Sequence, residues 1–303
     1  MRVSDFDYDL PETLIALEPL PRGAARMLCV GRQEIEDRAV RDLPALLRPG
    51  DILVLNDTKV IPAQLRGTRP ARGEGEAVEI DVTLHKRLNE GGARWAAFAR
   101  PAKRLRRGDV IDFGGGFSAS IESRAGAEAI LRFNCAGAEF DAALARAGAP
   151  PLPPYIARKR APSPRDAADY QTIFAAEPGS IAAPTAGLHF TEALFETLER
   201  AGVARLAVTL HVGAGTFLPV TADDARDHVM HAEWGEVTPE QAETINRAKA
   251  AGGRVVCVGT TSLRLLESAA DEAGRLRPFV GETALFITPG YRFRIADLLM
   301  TNF

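Results

Sequence analysis

Val256 to Ser268 reads V-C-V-G-T-T-S-L-R-L-L-E-S. The run Arg254–Gly259 is apolar and stops at a glycine. Three hydroxyl residues follow, then Leu263, Leu266 and Ala270 at helical spacing. This pattern predicts a strand, a corner and a helix capped by Thr261 or Ser262, the repeating unit of an α/β domain. Working backwards, Thr238-Pro239-Glu240-Gln241 is a capping box with proline at the first helical position, and its helix ends at Gly252-Gly253. Leu206–Val212 reads as a strand and stops at Gly213. Thr191 is placed to cap a helix with the apolar stripe Leu194, Phe195, Leu198 and Ala201, closed by Gly202. Further back still, Ile52 to Leu55 read as a buried strand, and Pro11 suits a helix start or turn.

The texture between about Gln64 and Gly148 differs. Short runs rich in Val, Ile and Phe recur between glycines: Val78–Leu84, Trp95–Ala99, Val110–Phe113, Phe117–Ile121 and Ala129–Phe133. Strands this short and this evenly spaced predict a small antiparallel barrel or sandwich. P-P-L-P-P-Y, Pro150 to Tyr155, reads as a stiff linker. The expected organisation is an α/β domain in two parts, 1–58 and 152–303, carrying a β module over 59–151.

The chain of 303 residues is 46% hydrophobic and 25% charged, as in a soluble globular protein. No apolar run reaches the roughly 20 residues that span a bilayer, and M-R-V-S-D-F-D-Y-D-L lacks an apolar signal core, so a cytoplasmic location is expected. Cys29, Cys135 and Cys257 are too few and too far apart for a disulfide framework or a thiolate zinc site. The net charge of -3 is unevenly spread. Residues 59–151 hold 15 Lys and Arg against 11 Asp and Glu, whereas the remainder of the chain is acidic. The two domains are therefore expected to have different partners.

The polar corners carry the chemistry. A-A-P-T-A-G-L-H-F-T (182–191) and V-T-L-H-V-G-A-G-T-F-L-P-V (208–220) each set a histidine beside glycines and hydroxyls. In the second, Leu206, Val208, Leu210 and Val212 alternate, so Thr209 and His211 point to the opposite face. Gly213 and Gly215 let the backbone approach a ligand closely, and Thr216 adds a hydroxyl. His189 stands two residues before the Thr191 cap, where helix amides favour anions. At Gly259, the hydroxyls of Thr260, Thr261 and Ser262 with Arg264 suit a carboxylate or phosphate, although the spacing is not that of a P-loop. His228-Val229-Met230-His231-Ala232-Glu233 lacks H-E-x-x-H spacing, so a surface or pocket-edge role is expected there and no metal site. In the β module, Arg100, Lys103, Arg104, Arg106 and Arg107 fall within eight residues; a solvated hairpin is the usual explanation of such a run, and in a charge-segregated domain it is also a candidate for phosphate-backbone contact. Arg158-Lys159-Arg160 extends that basic strip.

Several long stretches together resemble the S-adenosylmethionine:tRNA ribosyltransferase-isomerase family of queuosine biosynthesis. They are F-D-Y-D-L-P, L-R-P-G-D-I-L-V-L-N-D-T-K-V-I-P-A, R-P-A-K-R-L-R-R-G-D, P-P-Y-I, D-Y-Q-T, A-A-P-T-A-G-L-H-F-T, T-L-H-V-G-A-G-T-F, V-G-T-T-S-L-R, P-G-Y and T-N-F. Lys59 departs from the family's usual Arg, keeping charge and losing bidentate geometry. The family continues beyond Phe303 with a segment beginning H-L-P, so a C-terminal segment is expected to be missing here.

The resemblance implies an α/β/α-type sandwich with a mixed sheet and an inserted antiparallel β-barrel. It implies transfer and isomerisation of the ribosyl moiety of S-adenosylmethionine onto 7-aminomethyl-7-deazaguanine at the tRNA wobble position, giving epoxyqueuosine and releasing adenine and methionine. His211 or His189 would move the protons, as histidine does near neutral pH. Thr260, Thr261, Ser262 and Arg264 would hold the methionine carboxylate or a phosphate. Gly213, Gly215 and Thr216 would admit the nucleoside, and the cations of the basic run would meet tRNA. S-adenosylmethionine is consumed as a substrate, so neither cofactor nor metal is expected, and the protein is expected to be a monomer. A methyltransferase reading lacks the G-x-G-x-G after an N-terminal strand. A pure RNA-binding reading leaves the two polar corners without a purpose.

Overall fold

The computed structural model describes residues 1–89, 91–161, 163–217 and 220–302. The chain forms two compact units. One comprises Met1–Lys59, Tyr155–Ala161 and Ala168–Phe303, and the other Val60–Pro154 and Pro162–Ala167.

The first unit is built on a six-stranded mixed sheet. Its spatial order is Phe279–Thr283, Glu233–Val237, Ala204–Leu210, Ile52–Asn56, Val255–Val258 and Leu298–Met300. The last four are mutually parallel, and antiparallel pairing joins the first two to each other and to Ala204–Leu210. Ile52–Leu55 is apolar at every position because it is covered on both faces. Ile52 and Val54 pack with Val208, Ile245, Leu263 and Leu266. Leu53 and Leu55 pack with Phe190, Phe195 and Leu198 on the opposite side. The helices Pro239–Ala250 and Thr260–Ala269 thus cover one face and Glu192–Arg200 the other, which makes the three layers of an α/β/α sandwich. At the start of the central strands, Asp51 accepts from the amide and the guanidinium of Arg254, which fixes their alignment.

Two of the predicted caps are present. The Thr191 hydroxyl accepts from Leu194 N at 3.1 Å. Thr238 and Gln241 form the reciprocal capping box at 3.2 and 2.7 Å. The third expectation is corrected. Gly259, at φ +89°, is the residue before the Thr260–Ala269 helix, and no side chain caps that helix. Ser262 instead donates to the carbonyls of Val258 and Gly259. A left-handed φ leads the chain into the helix one residue earlier than hydroxyl counting suggests. The Cys257 thiol is pushed up by burial, as befits an inert core residue.

The second unit is a closed six-stranded antiparallel barrel, in the order Gln64–Arg69, Val78–Arg87, Arg94–Arg100, Glu128–Phe133, Ser118–Ala125 and Val110–Asp112. Closure comes from the pairing of Thr68 with Asp112. The closing strand, Q-L-R-G-T-R, is not apolar enough to be legible in the sequence. Its Gly67 is required by proximity, since a Cβ there would lie 2.6 Å from the Phe113 ring. The helix Gly137–Ala147 inserts the fully buried Phe140 against Trp95, Phe117 and Phe133.

Candidate active site

The four parallel strands of the first unit end at the same edge of the sheet. In spatial order, the residues that follow them are His211, Asp57-Thr58, Gly259-Thr260-Thr261 and Thr301-Asn302. From Ile52–Asn56 the chain winds outward to one side and later returns to the other. Open α/β sheets bind ligands at such a switch point.

His211 is held from three directions. Its amide donates to Trp234 O at 2.9 Å, and its ring stacks on the Trp234 indole with centroids 5.2 Å apart and 22° between planes. Its Nδ1 lies 2.7 Å from the hydroxyl of Thr58, which is completely buried. Gly179 packs against its ring, where an added Cβ would lie 2.7 Å from Nε2 and 2.8 Å from each of Cδ2 and Cε1. Beneath the ring, Asn56 zips the two central strands together: its amide donates to Leu210 O, and its carbonyl accepts from Leu210 N. Asp57 accepts from the Thr209 hydroxyl at 2.7 Å. Burial pushes the Asp57 carboxyl above the ordinary carboxylate range, and the charge of Glu177 adds to this, against the hydrogen bond from Thr209.

The glycine turn after His211 rests on the segment His228–Trp234. Gly213 N donates to Glu233 Oε1 at 3.0 Å. The other carboxylate oxygen of Glu233 pairs with Arg264. Gly215 lies against His231, whose Cγ would be 2.6 Å from an added Cβ. Thr216 is exposed within the short turn Ala214–Phe217, and Leu218 and Pro219 of the quoted stretch lie outside the described residues, as does Phe303. His228 packs on Phe286 at 5.1 Å. Among the described residues, no group of three or more His, Cys, Asp and Glu is arranged to hold a metal.

The corner at Gly259 divides its residues between two jobs. Arg264 is only 9% exposed, and besides Glu233 it donates to Leu285 O at 2.8 Å and Thr283 O at 3.3 Å. Its guanidinium and the Ser262 hydroxyl are therefore engaged by the protein itself. Thr260 is exposed, and the buried Oγ1 of Thr261 has no hydrogen-bond partner among the described residues. His189 is elsewhere on the edge, with Nε2 2.8 Å from Asn302 Oδ1. Asn302 follows the outermost parallel strand, three strand spacings from the one that precedes His211. At about 4.8 Å per spacing, that separation is about 14 Å. The two histidines thus bracket the edge and do not share one proton.

In the barrel, Arg100, Lys103, Arg104, Arg106 and Arg107 are all exposed, and none forms an ion pair among the described residues. Their loop is nonetheless fixed. Leu105 and Ala102 are buried, Arg72 donates to Arg104 O at 2.9 Å, and Arg106 N donates to Asp109. Burial alone would raise the Asp109 carboxyl. The Arg72 guanidinium, with the Arg106 amide, outweighs it and holds that carboxyl below the usual range.

Sequence reading does not single out Asn56, Asp57, Thr58, Gly179 or Trp234, and it places Glu233 only within a stretch of surface or pocket-edge character. The signal for the first three is their place directly after a buried strand, where α/β sites lie. Nothing local marks Gly179, and the pairing of Glu233 with Gly213, like that of Gly179 with His211, arises only through the tertiary fold.

A family described as queuosine biosynthesis protein matches residues 3–303. A protein of Parvibaculum lavamentivorans called S-adenosylmethionine:tRNA ribosyltransferase-isomerase is 62% identical, covering 100% of this chain and 87% of its own length. One of the same name from Phenylobacterium zucineum is 58% identical with the same coverage. The crystal structure of S-adenosylmethionine tRNA ribosyltransferase from Thermotoga maritima is 32% identical, with a TM-score of 0.49 over 99% of this chain and 84% of that one. The matched residues include both polar corners and the basic run, and the chain belongs to the queuosine biosynthesis protein family.

Proposed function

We propose that this chain is an S-adenosylmethionine:tRNA ribosyltransferase-isomerase. It transfers and isomerises the ribosyl moiety of S-adenosylmethionine onto 7-aminomethyl-7-deazaguanine at the wobble position of tRNA, forming epoxyqueuosine-tRNA and releasing adenine and methionine. The observation that carries this reading is the edge of the sheet. There His211, pinned by Thr58 and Trp234, stands beside the Gly213–Gly215 turn, in a chain similar to such enzymes throughout its length.

The chemistry sets three demands. A base removes a proton next to the sulfonium, the departing adenine is met by a donor, and the attacking amine is neutral. His211 and His189 are assigned to the proton transfers. The open amides of the Thr260–Ala269 helix, with Thr260 and Thr261, take the methionine carboxylate. Arg264 and Ser262 support that corner from behind, because their donors are already engaged. Gly213, Gly215 and Thr216 border the nucleoside, and the exposed cations of residues 100–107 take the tRNA backbone. S-adenosylmethionine is consumed as a substrate, and no resident cofactor or metal is assigned. The protein acts in the cytoplasm, as a monomer.

The test is incubation with S-adenosylmethionine and a tRNA carrying the aminomethyl base. Release of adenine and methionine supports the proposal. S-adenosylhomocysteine would make the protein a methyltransferase, and binding without products would make it an RNA-binding module.

A further inference from the structure

Asp57 is a half-buried carboxylate directly after the central strand Ile52–Asn56, at the switch point of the sheet. Thr209 donates to its Oδ1 at 2.7 Å, and its Oδ2 has no hydrogen-bond partner among the described residues. Nor does a cation pair with it among those residues. Other buried carboxylates of the same unit are neutralised. Asp51 is paired with Arg254 and Glu233 with Arg264. Glu267 accepts from the Tyr291 hydroxyl and from the amides of Arg294, Ile295 and Ala296. Asp57 is instead held near a like charge, because the amides of Ala176 and Glu177 donate to its carbonyl at 2.7 and 3.2 Å. A carboxylate drawn out of water beside another anion calls for a cation, and here the chain does not supply one.

We propose that Asp57 is the catalytic base: its free Oδ2 faces the sulfonium of bound S-adenosylmethionine and takes the proton from the ribosyl carbon beside it. This rests on the reading under Proposed function and divides the work assigned there. The histidines keep the transfers at adenine and at the attacking amine.

The substrate brings the missing charge. A sulfonium has no hydrogen to donate, so its attraction to the protein is that of a bare positive charge, which a carboxylate oxygen with an open lone pair can meet. Burial raises the affinity of the Asp57 carboxyl for a proton, against the bond from Thr209 and with help from the charge of Glu177. That makes it the stronger base, while the sulfonium keeps it ionised until the proton moves. Its position suits the step. Thr209, which holds Asp57, and His211 are two residues apart on one face of their strand, about 7 Å at 3.3 Å per residue. The carbon beside sulfur and the bond to adenine lie at opposite ends of the ribosyl group, so each end meets its own group. In the step, the C–H bond breaks and its electron pair stays on carbon, where the positive sulfur stabilises it. The proton forms an O–H bond to Oδ2 and passes to water after the products leave.

The test uses the protein with a tRNA whose wobble base is guanine, which lacks the attacking amine. Calorimetric titrations compare S-adenosylmethionine with S-adenosylhomocysteine, the neutral thioether. The wild type should bind the sulfonium compound at least about tenfold more tightly. Equal affinities overturn the proposal. Asp57→Asn still accepts from Thr209 and removes the charge alone. It should bring the two affinities within about threefold of each other. With the aminomethyl tRNA it should lower kcat for adenine release by about a hundredfold to ten-thousandfold. A folded Asp57→Asn protein that keeps either the preference or the wild-type kcat overturns the proposal. If Asp57→Asn does not fold, Asp57→Ser is read against the same two outcomes. A wild type that releases no adenine sinks the reading under Proposed function and the base with it. Wild type and Asp57→Asn turning over alike sinks this inference alone.

Discussion

Arg264 and Glu233 form a buried ion pair, and the carboxylate oxygen not used by Arg264 accepts the amide of Gly213. The helix at one polar corner thereby holds the glycine turn at the other. The arginine whose place suits a substrate carboxylate already has one from the protein.

Arg264→Ala should therefore act first on the fold. It leaves Glu233 buried without its partner, at a cost of about 3–5 kcal/mol. The double variant Arg264→Ala with Glu233→Ala should recover much of that loss, because it buries no unpaired charge. Denaturant melts of the three proteins check this. A stable single variant with weakened S-adenosylmethionine binding would return Arg264 to the substrate.

His211→Ala should lower turnover by roughly two to four orders of magnitude while circular dichroism stays unchanged. Its contacts with Thr58 and Trp234 orient the ring and do not join core layers, so the fold should survive. Adenine release at the wild-type rate would take His211 out of the mechanism.

Gly215→Ala places a carbon 2.6 Å from His231 Cγ, and one of the two must move. A displacement of that size near a reacting centre is worth about a hundredfold in rate. His231→Ala in the same chain should relieve it. A single variant with normal kcat, or a double variant no better than the single, would show that the contact does not set the loop.

Asp57 predicts a pH-dependent stability. Its carboxyl binds a proton more readily in the folded chain than in the unfolded one. This favours the fold most at pH below the unfolded value of about 3.9, and the advantage is lost as pH rises through the folded value. Asp57→Asn, which still accepts from Thr209, should raise the melting temperature at pH 8 and give little gain near pH 4. Thermal melts at both values check the sign, and equal shifts would place the cause elsewhere.

Replacing Lys103, Arg104, Arg106 and Arg107 by Ala should weaken tRNA binding and flatten its salt dependence. The log–log slope should fall by about 0.7–0.9 for each phosphate that is no longer neutralised. S-adenosylmethionine binding should be unaffected. Filter binding at several salt concentrations decides, and superimposable salt curves would leave the run as a solvated surface.

The legible parts of this chain are those with local causes. Thr191 and Thr238 announce their helices, and the apolar run Ile52–Leu55 announces a strand covered on both sides. The strand Gln64–Arg69 is hidden because Gly67 is there to let another strand approach. The site divides the same way. His211 is visible from its place before a glycine turn. Thr58 becomes its partner only because Asn56 joins two strands whose bonded residues are 154 positions apart. Arg264 is recognisable as polar and well placed, but composition does not reveal that Glu233 occupies it.

That long-range pairing has a consequence for how the protein is made. The strand Ile52–Asn56 emerges early, yet its neighbours are Ala204–Leu210 and Val255–Val258, and Asp51 must wait 203 residues for Arg254. At 5–20 residues per second, the wait is roughly 10–40 s. Over that time the wholly apolar run Ile52–Leu55 remains without its sheet. The barrel, whose strands all lie between Gln64 and Ala149, can close first, so the later half of the chain is synthesised behind a module that has already folded.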